Sequence, residues 1–224
     1  MKMTRPKRPD LKRKCADFMS VDEPIGTAVV GYGFAGRCFH SYLVGLAAPA
    51  LKLHGVVSSR AEARQDITSR LGVRAYSSFD EVLADDEVEL VVLATPNDVH
   101  APQAIAALQA GKHVVTDKPM SLNLGEADEM IAAASASGRL LSVFQNRRWD
   151  ADFLTVKQLL QEGTLGKLVY AQLAWGQFGA PGSWRGEAER GGGKFVDLGA
   201  HMIDQALQLA TSELQRVYAR FGDA

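Results

Sequence analysis

The stretch Ala28-Val29-Val30-Gly31-Tyr32-Gly33-Phe34-Ala35-Gly36 decides the fold of this chain. A run typical of a buried strand ends at Gly31, and two further glycines follow at the spacing G-x-G-x-x-G. Gly31 allows a sharp turn, Gly33 leaves room for a pyrophosphate against the backbone, and Gly36 lets the next helix pack closely on the sheet. The residues between Gly33 and Gly36 would contact the phosphates at the positive end of that helix. The stretch predicts a dinucleotide site, and a plain glycine-rich turn is the alternative.

Strand and helix patterns alternate from this stretch to residue 145. The predicted strands cover residues 25–30, 51–58, 73–76, 89–94, 113–116 and 140–144. The predicted helices cover residues 37–46, 61–71, 79–84, 100–110 and 124–137, and three of them end at glycines, Gly72, Gly111 and Gly138. The alternation predicts an α/β fold, with an N-terminal Rossmann doubly wound parallel sheet over residues 25–145.

The pattern changes after residue 145. An amphipathic helix is predicted over residues 153–162, a long alternating strand over 168–178 and a glycine-rich charged loop over 179–193. Another helix begins near Gly199, and residues 215–221 resemble a strand. Two strands and two helices are too little for an independent domain. Residues 146–224 are therefore predicted to form an incomplete α+β C-terminal domain.

Charge is unevenly distributed along the chain. Residues 1–14 hold seven basic side chains and one acidic one, so the remainder carries about −7. Residues 1–24 are predicted to be a basic, disordered extension, and the acidic remainder makes nucleic acid an unsuitable partner. There is no apolar run of membrane-spanning length and no secretory signal, and Cys15 and Cys38 form neither a metal-ligand cluster nor a disulfide framework. We therefore expect a cytoplasmic protein without membrane attachment or a bound metal.

The end of the second predicted strand indicates which dinucleotide is preferred. A carboxylate at this position would hold the ribose hydroxyls of NAD, but the chain has Ser58-Ser59-Arg60. Two hydroxyls and a planar guanidinium suit a 2′-phosphate. These three residues favour NADP, with NAD as the alternative, and Arg60 could equally be a solvated residue at a helix start.

Two more polar stretches follow predicted strands of the same sheet. Thr95-Pro96-Asn97 comes after the most apolar strand, where loops face the ligand, and His100 lies just beyond it. These four residues are predicted to lie at the cofactor, although Asn97 could simply form a turn and His100 could simply lie near the start of a helix. Asp117-Lys118-Pro119 follows the next strand, and a lysine that points into the cleft there can contact both cofactor and substrate and stabilise negative charge, with a solvated charge as the alternative. The proline also permits a cis peptide bond.

A third constellation lies in the C-terminal part. In Asp197-Leu198-Gly199-Ala200-His201, a helix would place Asp197 and His201 on one face, four residues apart. A carboxylate beside an imidazole orients it and raises its basicity, which suits proton transfer. A helix-capping Asp next to an unrelated His is the alternative. Lys118, Asp197 and His201 are the predicted catalytic residues.

Taken together, these motifs resemble the Gfo/Idh/MocA family of NAD(P)-dependent oxidoreductases. The matching segments are Gly31-Tyr32-Gly33-Phe34-Ala35-Gly36, Thr95-Pro96-Asn97, Asp117-Lys118-Pro119 and Asp197-Leu198-Gly199-Ala200-His201. Within the family, residues 142–150 and 152–157 are similar to the branch that contains NADP-dependent scyllo-inositol dehydrogenases. Asp117 departs from the family's more usual Glu before Lys-Pro.

The resemblance implies a hydride transfer between NADP(H) and a secondary hydroxyl or ketone of a polyol, inositol or sugar. Lys118 would polarise the reacting oxygen, and His201 would exchange its proton while Asp197 orients the imidazole. The resemblance also implies that Arg148, Trp149, Trp184 and Arg185 line the sugar side, with core burial of the tryptophans as the alternative.

The resemblance has a consequence for the length of the protein. Members of the family are longer, so the resemblance implies a C-terminally truncated chain whose full-length form is a homo-oligomer. An inactive cofactor-binding fragment or a ligand-sensing regulator is the alternative function.

Overall fold

The structure, a computed structural model, describes residues 23–176, 179 and 182–220. Six strands form one sheet: β1 Ile25–Val30, β2 Leu51–Val57, β3 Arg74–Tyr76, β4 Leu90–Leu93, β5 His113–Thr116 and β6 Leu141–Val143. Their order is β3-β2-β1-β4-β5-β6, and every neighbouring pair is parallel. This is the strand order of a doubly wound dinucleotide-binding sheet, so the predicted fold class is confirmed.

Helices follow the strands on both faces of the sheet. They are α1 Ser41–Leu46, α2 Ala61–Asp66, α3 Phe79–Leu83, α4 His100–Gln109, α5 Leu124–Ser137, α6 Ala151–Gln161 and α7 Ala200–Leu209. Wider π-helical turns at Gly36–His40 and Phe195–Gly199 lead into α1 and α7, and another at Ile67–Leu71 continues α2. The predicted glycine ends are confirmed, because Gly72, Gly111 and Gly138 all have φ between 65° and 77°.

Strand β1 shows why the sheet needs helices on both faces. Ala28 and Val30 point into one apolar core, which α4 and α5 cover, and Val29 points into the other, which α1 and α2 cover. All three side chains are almost fully buried. Side chains alternate between the faces of a strand, so a strand buried on both faces is a continuous apolar run.

The sheet order brings the predicted site residues to one edge. Because all six strands are parallel, the residues that follow β1, β2, β4 and β5 lie at the same carboxyl edge. Chain connections run to opposite sides of β1 and β4, and the crevice between them is where such sheets bind ligands.

The C-terminal part differs from its prediction. Residues 168–176 and 215–220 form no strand, and the rest of the two predicted strands lies outside the described residues. Val169, Tyr170 and Val217 are strongly exposed. A strand needs a neighbour for its backbone N–H and C=O groups, and in the described residues these segments have no neighbouring strand. The expectation of two strands here was wrong for the described residues.

The helices of the C-terminal part match their predictions more closely. The helix predicted over 153–162 is α6, and the helix predicted near Gly199 is α7 with the π-helical turn before it. The predicted loop contains two short 3₁₀ turns, Ser183–Gly186 and Ala188–Arg190.

The basic extension lies outside the described residues apart from Glu23 and Pro24, so its prediction stays a prediction. In the part of the chain that the structure describes, every helix is too short or too polar to cross a bilayer.

Candidate functional site

The glycine loop after β1 has a shape that only glycine permits. Gly31 has φ +104°, and a Cβ there would lie 2.6 Å from the carbonyl oxygen of Ala94. A Cβ on Gly36 would overlap the carbonyl oxygen of Gly31, so the helix packs directly on the loop. A Cβ on Gly33 would meet no atom within 4 Å, because this side of the loop is open. The open side beside a helix start suits a pyrophosphate.

Two cavities meet at this loop and share Gly31, Gly33 and Thr95. The first is a cleft of about 230 Å³ that extends to Lys118 and Asp197. The second is an open groove that extends in the opposite direction, past the end of β2. The shape fits an extended molecule with phosphates at its centre and a ring system at each end. A dinucleotide has this form, so the residues present fit the cofactor that the sequence predicts.

The groove contains the residues predicted to select NADP. Ser58, Ser59 and Arg60 line it, and no carboxylate belongs to its described lining. The backbone N–H of Arg60 donates to Ser58 Oγ at 3.4 Å. Arg64 Nη1 donates to the carbonyl oxygens of Ser58 and Ser59, both at 2.8 Å, and so holds the loop.

Sequence reasoning missed two parts of this groove. Arg64 lies one helical turn after Arg60, and this spacing was the available signal for its role. Ser77 and Ser78 line the opposite wall, and they follow β3 in the way that Ser58 follows β2. The recurrence of serines after neighbouring strands could have indicated this wall.

The loop after β4 is more buried than expected. Thr95 Oγ1 donates to Gln103 Oε1 at 2.8 Å, and Pro96 lines the cleft. Asn97 is buried, and its Nδ2 donates to the carbonyl oxygen of Gly191 at 2.9 Å. The amide of Asn97 therefore connects two loops, and the residue also lines the cleft.

His100 is also surrounded by backbone groups of two loops. Its ring is fully buried, with Nδ1 2.9 Å from the carbonyl oxygen of Pro119 and Nε2 2.9 Å from that of Thr95. A neutral imidazole can donate to only one of these acceptors. A backbone carbonyl oxygen lies beside each ring nitrogen, so His100 joins the two loops, and it also lines the cleft. The expected contact of His100 with the cofactor stays a prediction.

Lys118 lies at the inner end of the cleft. Its Nζ donates to Asp197 Oδ1 at 2.6 Å and also to the Asp197 carbonyl, and its side chain is 13% exposed. The Lys118–Pro119 peptide bond is cis, as the sequence allowed. The ammonium group is thus held beside the glycine loop by a carboxylate from the C-terminal part.

Asp117, next to Lys118, has a partner that sequence reasoning missed. His40 Nε2 lies 3.4 Å from Asp117 Oδ2. Burial alone would raise the pKa of Asp117, but the hydrogen bond and charge of His40 outweigh it, and the pKa lies below its usual value. His40 precedes α1 by one residue, and its sequence context carried no signal for this contact.

His201 is buried near Lys118 without a hydrogen-bonded partner at Nδ1 among the described residues. Burial, then the charges of Lys118 and Arg147, lower the pKa of His201 to about 4. The ring is therefore neutral near pH 7. Trp175 stacks against it, with ring centroids 6.4 Å apart.

The predicted contact between Asp197 and His201 differs from the structure. The carboxylate of Asp197 bonds Lys118 instead, and His201 Nδ1 has no partner in the described chain. Asp197 lies in the π-helical turn and His201 in the α-helix that follows, so the regular i, i+4 alignment is lost. The two residues remain near each other: the charge of Asp197 acts to raise the pKa of His201, although burial and the nearby positive charges outweigh it.

Two of the four residues expected on the substrate side line the cleft. Trp184 and Arg185 do so. Arg148 makes a bidentate pair with Asp204 at 2.8 and 2.6 Å, and Trp149 is 75% exposed outside the described lining. Arg148 therefore holds α7 in place.

One group of potential metal ligands occurs in the described residues, at the amino side of the sheet. His54, Asp85 and Glu87 place one ligand atom each within 4.8 Å. Asp85 Oδ2 already accepts hydrogen bonds from Arg74 and the Tyr76 hydroxyl. These contacts account for the carboxylate, and we assign no metal.

The sheet order, the glycine loop and the two cavities define a Rossmann-type dinucleotide-binding protein. A family profile described as oxidoreductase family, NAD-binding Rossmann fold, matches residues 25–145. The profile of the GFO/IDH/MocA C-terminal domain matches residues 153–224. The chain belongs to the Gfo/Idh/MocA family of oxidoreductases, which confirms the resemblance seen in its motifs.

Relatives cover most of this chain but are longer. It is 41% identical to the uncharacterised oxidoreductase YdgJ of Escherichia coli, over 84% of this chain and 54% of YdgJ. It is 35% identical to the scyllo-inositol 2-dehydrogenase (NADP(+)) IolW of Bacillus subtilis, over 84% of this chain and 52% of IolW. The solved structure of the putative oxidoreductase yvaA from Bacillus subtilis superposes with a TM-score of 0.77 at 34% identity. The match covers 84% of this chain and 53% of yvaA. The chain spans about half the length of these relatives.

Proposed function

We propose that the protein transfers a hydride between NADP(H) and a secondary hydroxyl or ketone of a polyol, inositol or sugar. The observation that carries the proposal is the meeting of Lys118 and Asp197 in the cleft beside the glycine loop, with His201 buried close enough for their charges to act on it. Lys118 and Asp197 are 2.6 Å apart, and the charges of both act on His201. An ammonium donor, a carboxylate and a neutral imidazole are the groups needed to move a proton at a carbon–oxygen bond.

In this proposal Lys118 donates a hydrogen bond to the reacting oxygen. During oxidation His201 accepts the hydroxyl proton, and during reduction it returns that proton to the oxygen. The bound nicotinamide supplies the chemistry of hydride acceptance or donation. The Lys118 charge lowers the pKa of His201, and a developing alkoxide would offset that charge. The imidazole would therefore become more basic as the hydroxyl loses its proton.

Asp197 acts on Lys118 in this scheme. Its carboxylate and carbonyl hold the Nζ group at a defined place in the cleft. A substrate hydroxyl that replaces one of these acceptors would be oriented by the same donor. We propose Asp197 as the residue that positions Lys118 and tunes His201 by its charge.

The preference for NADP is argued from the groove after β2. Ser58 and Ser59 supply hydroxyls and Arg60 supplies a guanidinium, with no carboxylate in the described lining to repel a phosphate. IolW of Bacillus subtilis carries NADP(+) in its name. A positive, hydroxyl-rich groove is the environment that a 2′-phosphate requires.

The substrate class is argued from relatives and from the cleft. Named relatives include scyllo-inositol 2-dehydrogenase, myo-inositol 2-dehydrogenase and 1,5-anhydro-D-fructose reductase. Trp184 and Arg185 at the cleft offer a ring face and hydrogen-bond donors, which suit a polyhydroxylated ring. The proposal includes a cytoplasmic location, no nucleic-acid or membrane partner, and a homo-oligomeric full-length form.

Turnover with the purified chain tests the proposal. The chain is mixed with NADP and a panel of inositols, polyols and sugars, and the absorbance of the reduced cofactor is followed. Lys118→Met should abolish turnover, whereas NADPH binding, measured by fluorescence, should weaken without being lost. Lys52→Met is the matched control, because Lys52 is exposed at the amino end of β2, on the opposite edge of the sheet.

The outcomes separate the two candidate functions. Turnover that depends on Lys118 supports the oxidoreductase. NADPH binding without turnover, for every substrate and for a version extended to the length of the relatives, would instead select a cofactor-binding regulator. Equal activity of wild type and Lys118→Met would refute the role of Lys118.

A further inference from the structure

The segment 183–193 crosses from the C-terminal part to the Rossmann domain, and two contacts hold it there. Arg190 Nε and Nη2 donate to the two carboxylate oxygens of Asp98, at 3.1 and 3.4 Å. Asn97 Nδ2 donates to the carbonyl oxygen of Gly191 at 2.9 Å. Asp98 and Asn97 lie directly after β4, whereas Arg190 and Gly191 lie more than 90 residues later in the chain.

The same segment carries one wall of the cleft. Trp184 and Arg185, at its beginning, line the cleft opposite Pro96 of the β4 loop. The backbone N–H of Gly193 donates to the carbonyl oxygen of Arg185 at 2.7 Å, so the two ends of the segment are joined. A shift of Arg190 would thus be passed to Arg185.

The segment also leads into the turn that carries Asp197. The backbone N–H of Asp197 donates to the carbonyl oxygen of Gly193 at 3.0 Å. Asp197 in turn holds Lys118, at the inner end of the cleft. Arg190 therefore lies between two groups of cleft residues, Trp184 and Arg185 on one side and Asp197 on the other.

We propose that the Asp98–Arg190 pair positions the segment 183–193 over the cofactor cleft and thereby sets the affinity for the dinucleotide. Asp98 and Arg190 are positioning residues in this account, since neither belongs to the described lining of the cleft. The inference rests on the proposed function for the identity of the cofactor. Its physical basis is preorganisation, because a wall held in place before binding loses less conformational entropy on binding.

The pair suits this role because it is fork-shaped and partly shielded. A guanidinium that binds both oxygens of a carboxylate fixes direction as well as distance. The Asp98 and Arg190 side chains are 28% and 37% exposed, so water weakens the pair only in part. Asn97 adds a buried hydrogen bond beside it.

Arg190→Gln and Asp98→Asn test the proposal in the complete chain. Each should raise the dissociation constant of NADPH about fivefold, which corresponds to about 1 kcal/mol. The double variant should lose no more affinity for NADPH than either single variant, because both substitutions remove the same contact. The exchanged pair Asp98→Arg with Arg190→Asp should recover part of the affinity.

A second measurement does not require the cofactor. Hydrogen exchange at the backbone amides of Gly191 and Gly193 should be faster in Arg190→Gln than in the wild type. Arg74→Gln is the matched control, since Arg74 makes an ion pair with Asp85 at 2.6 Å at the amino side of the sheet, and neither residue lines the cleft or the groove. It should leave both the exchange and the affinity unchanged.

The results distinguish this inference from the proposed function. An affinity within twofold of the wild type in both single variants would overturn the positioning role, as would an equal loss of affinity in Arg74→Gln. If the unaltered chain binds no NADPH, the proposed cofactor fails, and unchanged exchange at Gly191 and Gly193 would then overturn the inference independently. Faster exchange with unchanged affinity would also overturn it.

Discussion

The buried imidazole of His201 predicts a loss of stability in mild acid. Its pKa is lowered from 6.5 to about 4, first by burial and then by the charges of Lys118 and Arg147. Between these two values the unfolded chain binds a proton that the folded chain does not. The free energy of unfolding therefore falls as the pH falls through this window. From the two pKa values, the loss contributed by His201 between pH 7 and pH 5 is about 2 kcal/mol.

Urea unfolding of the wild type and of His201→Gln at both pH values measures this contribution. Other titrating groups are common to the two proteins, so the difference in pH dependence reports His201. We expect the variant to lose about 2 kcal/mol less than the wild type on acidification. If the wild type and the variant differ by less than about 0.5 kcal/mol, which is the scatter of such measurements, the burial argument is refuted.

Nuclear magnetic resonance titration gives the pKa of His201 directly, and Lys118→Met separates its causes. Removing the ammonium should raise the pKa of His201, while burial should still hold it below 6.5. An unchanged pKa of His201 in Lys118→Met would show that the charge of Lys118 does not act on His201. A pKa near 6.5 in the wild type would refute the buried environment itself.

Two further predictions concern the cofactor groove and the glycine loop. Ser59→Asp with Arg60→Ala should shift the preference from NADP towards NAD by at least about tenfold, because a carboxylate repels the 2′-phosphate and accepts from ribose hydroxyls. The ratio of the two dissociation constants measures this, and an unchanged ratio would contradict the assignment of the groove. Gly36→Ala should lower the free energy of unfolding by about 1–3 kcal/mol and weaken cofactor binding, since its Cβ would overlap the Gly31 carbonyl. Gly33→Ala, where the added Cβ meets open space, is the matched control for stability in urea unfolding.

Much of the Rossmann domain could be read from the order of residues. Strands buried on both faces are continuous apolar runs, and glycines mark helix ends because few other residues adopt the left-handed conformation. Both signals are local, so the strands and the ends at Gly72, Gly111 and Gly138 were predictable. The glycine spacing after β1 was predictable for the same reason.

The conformation of residues 168–176 and 215–220 was not predictable in this way. An alternating pattern shows that a segment could have two faces, but a strand also requires a neighbour for its backbone groups. Residues 168–176 have the pattern and form no strand in the described chain. Strand pairing depends on the neighbouring strands of the sheet, so the sequence of a single segment does not show whether it will pair.

The sequence by itself indicated the candidate groups of the site: the glycine loop, Lys118, Asp197 and His201. Only the tertiary structure decided which of them touch. The sequence spacing favoured Asp197 with His201, but folding brought Lys118 to Asp197 at 2.6 Å and left His201 Nδ1 without a partner in the described residues. It also brought Asn97 and His100, which line the cleft, against backbone carbonyl oxygens of other loops. The physical reason is that a polar group bonds the nearest suitable partner in space, and separations of 79 and 94 residues leave no local pattern.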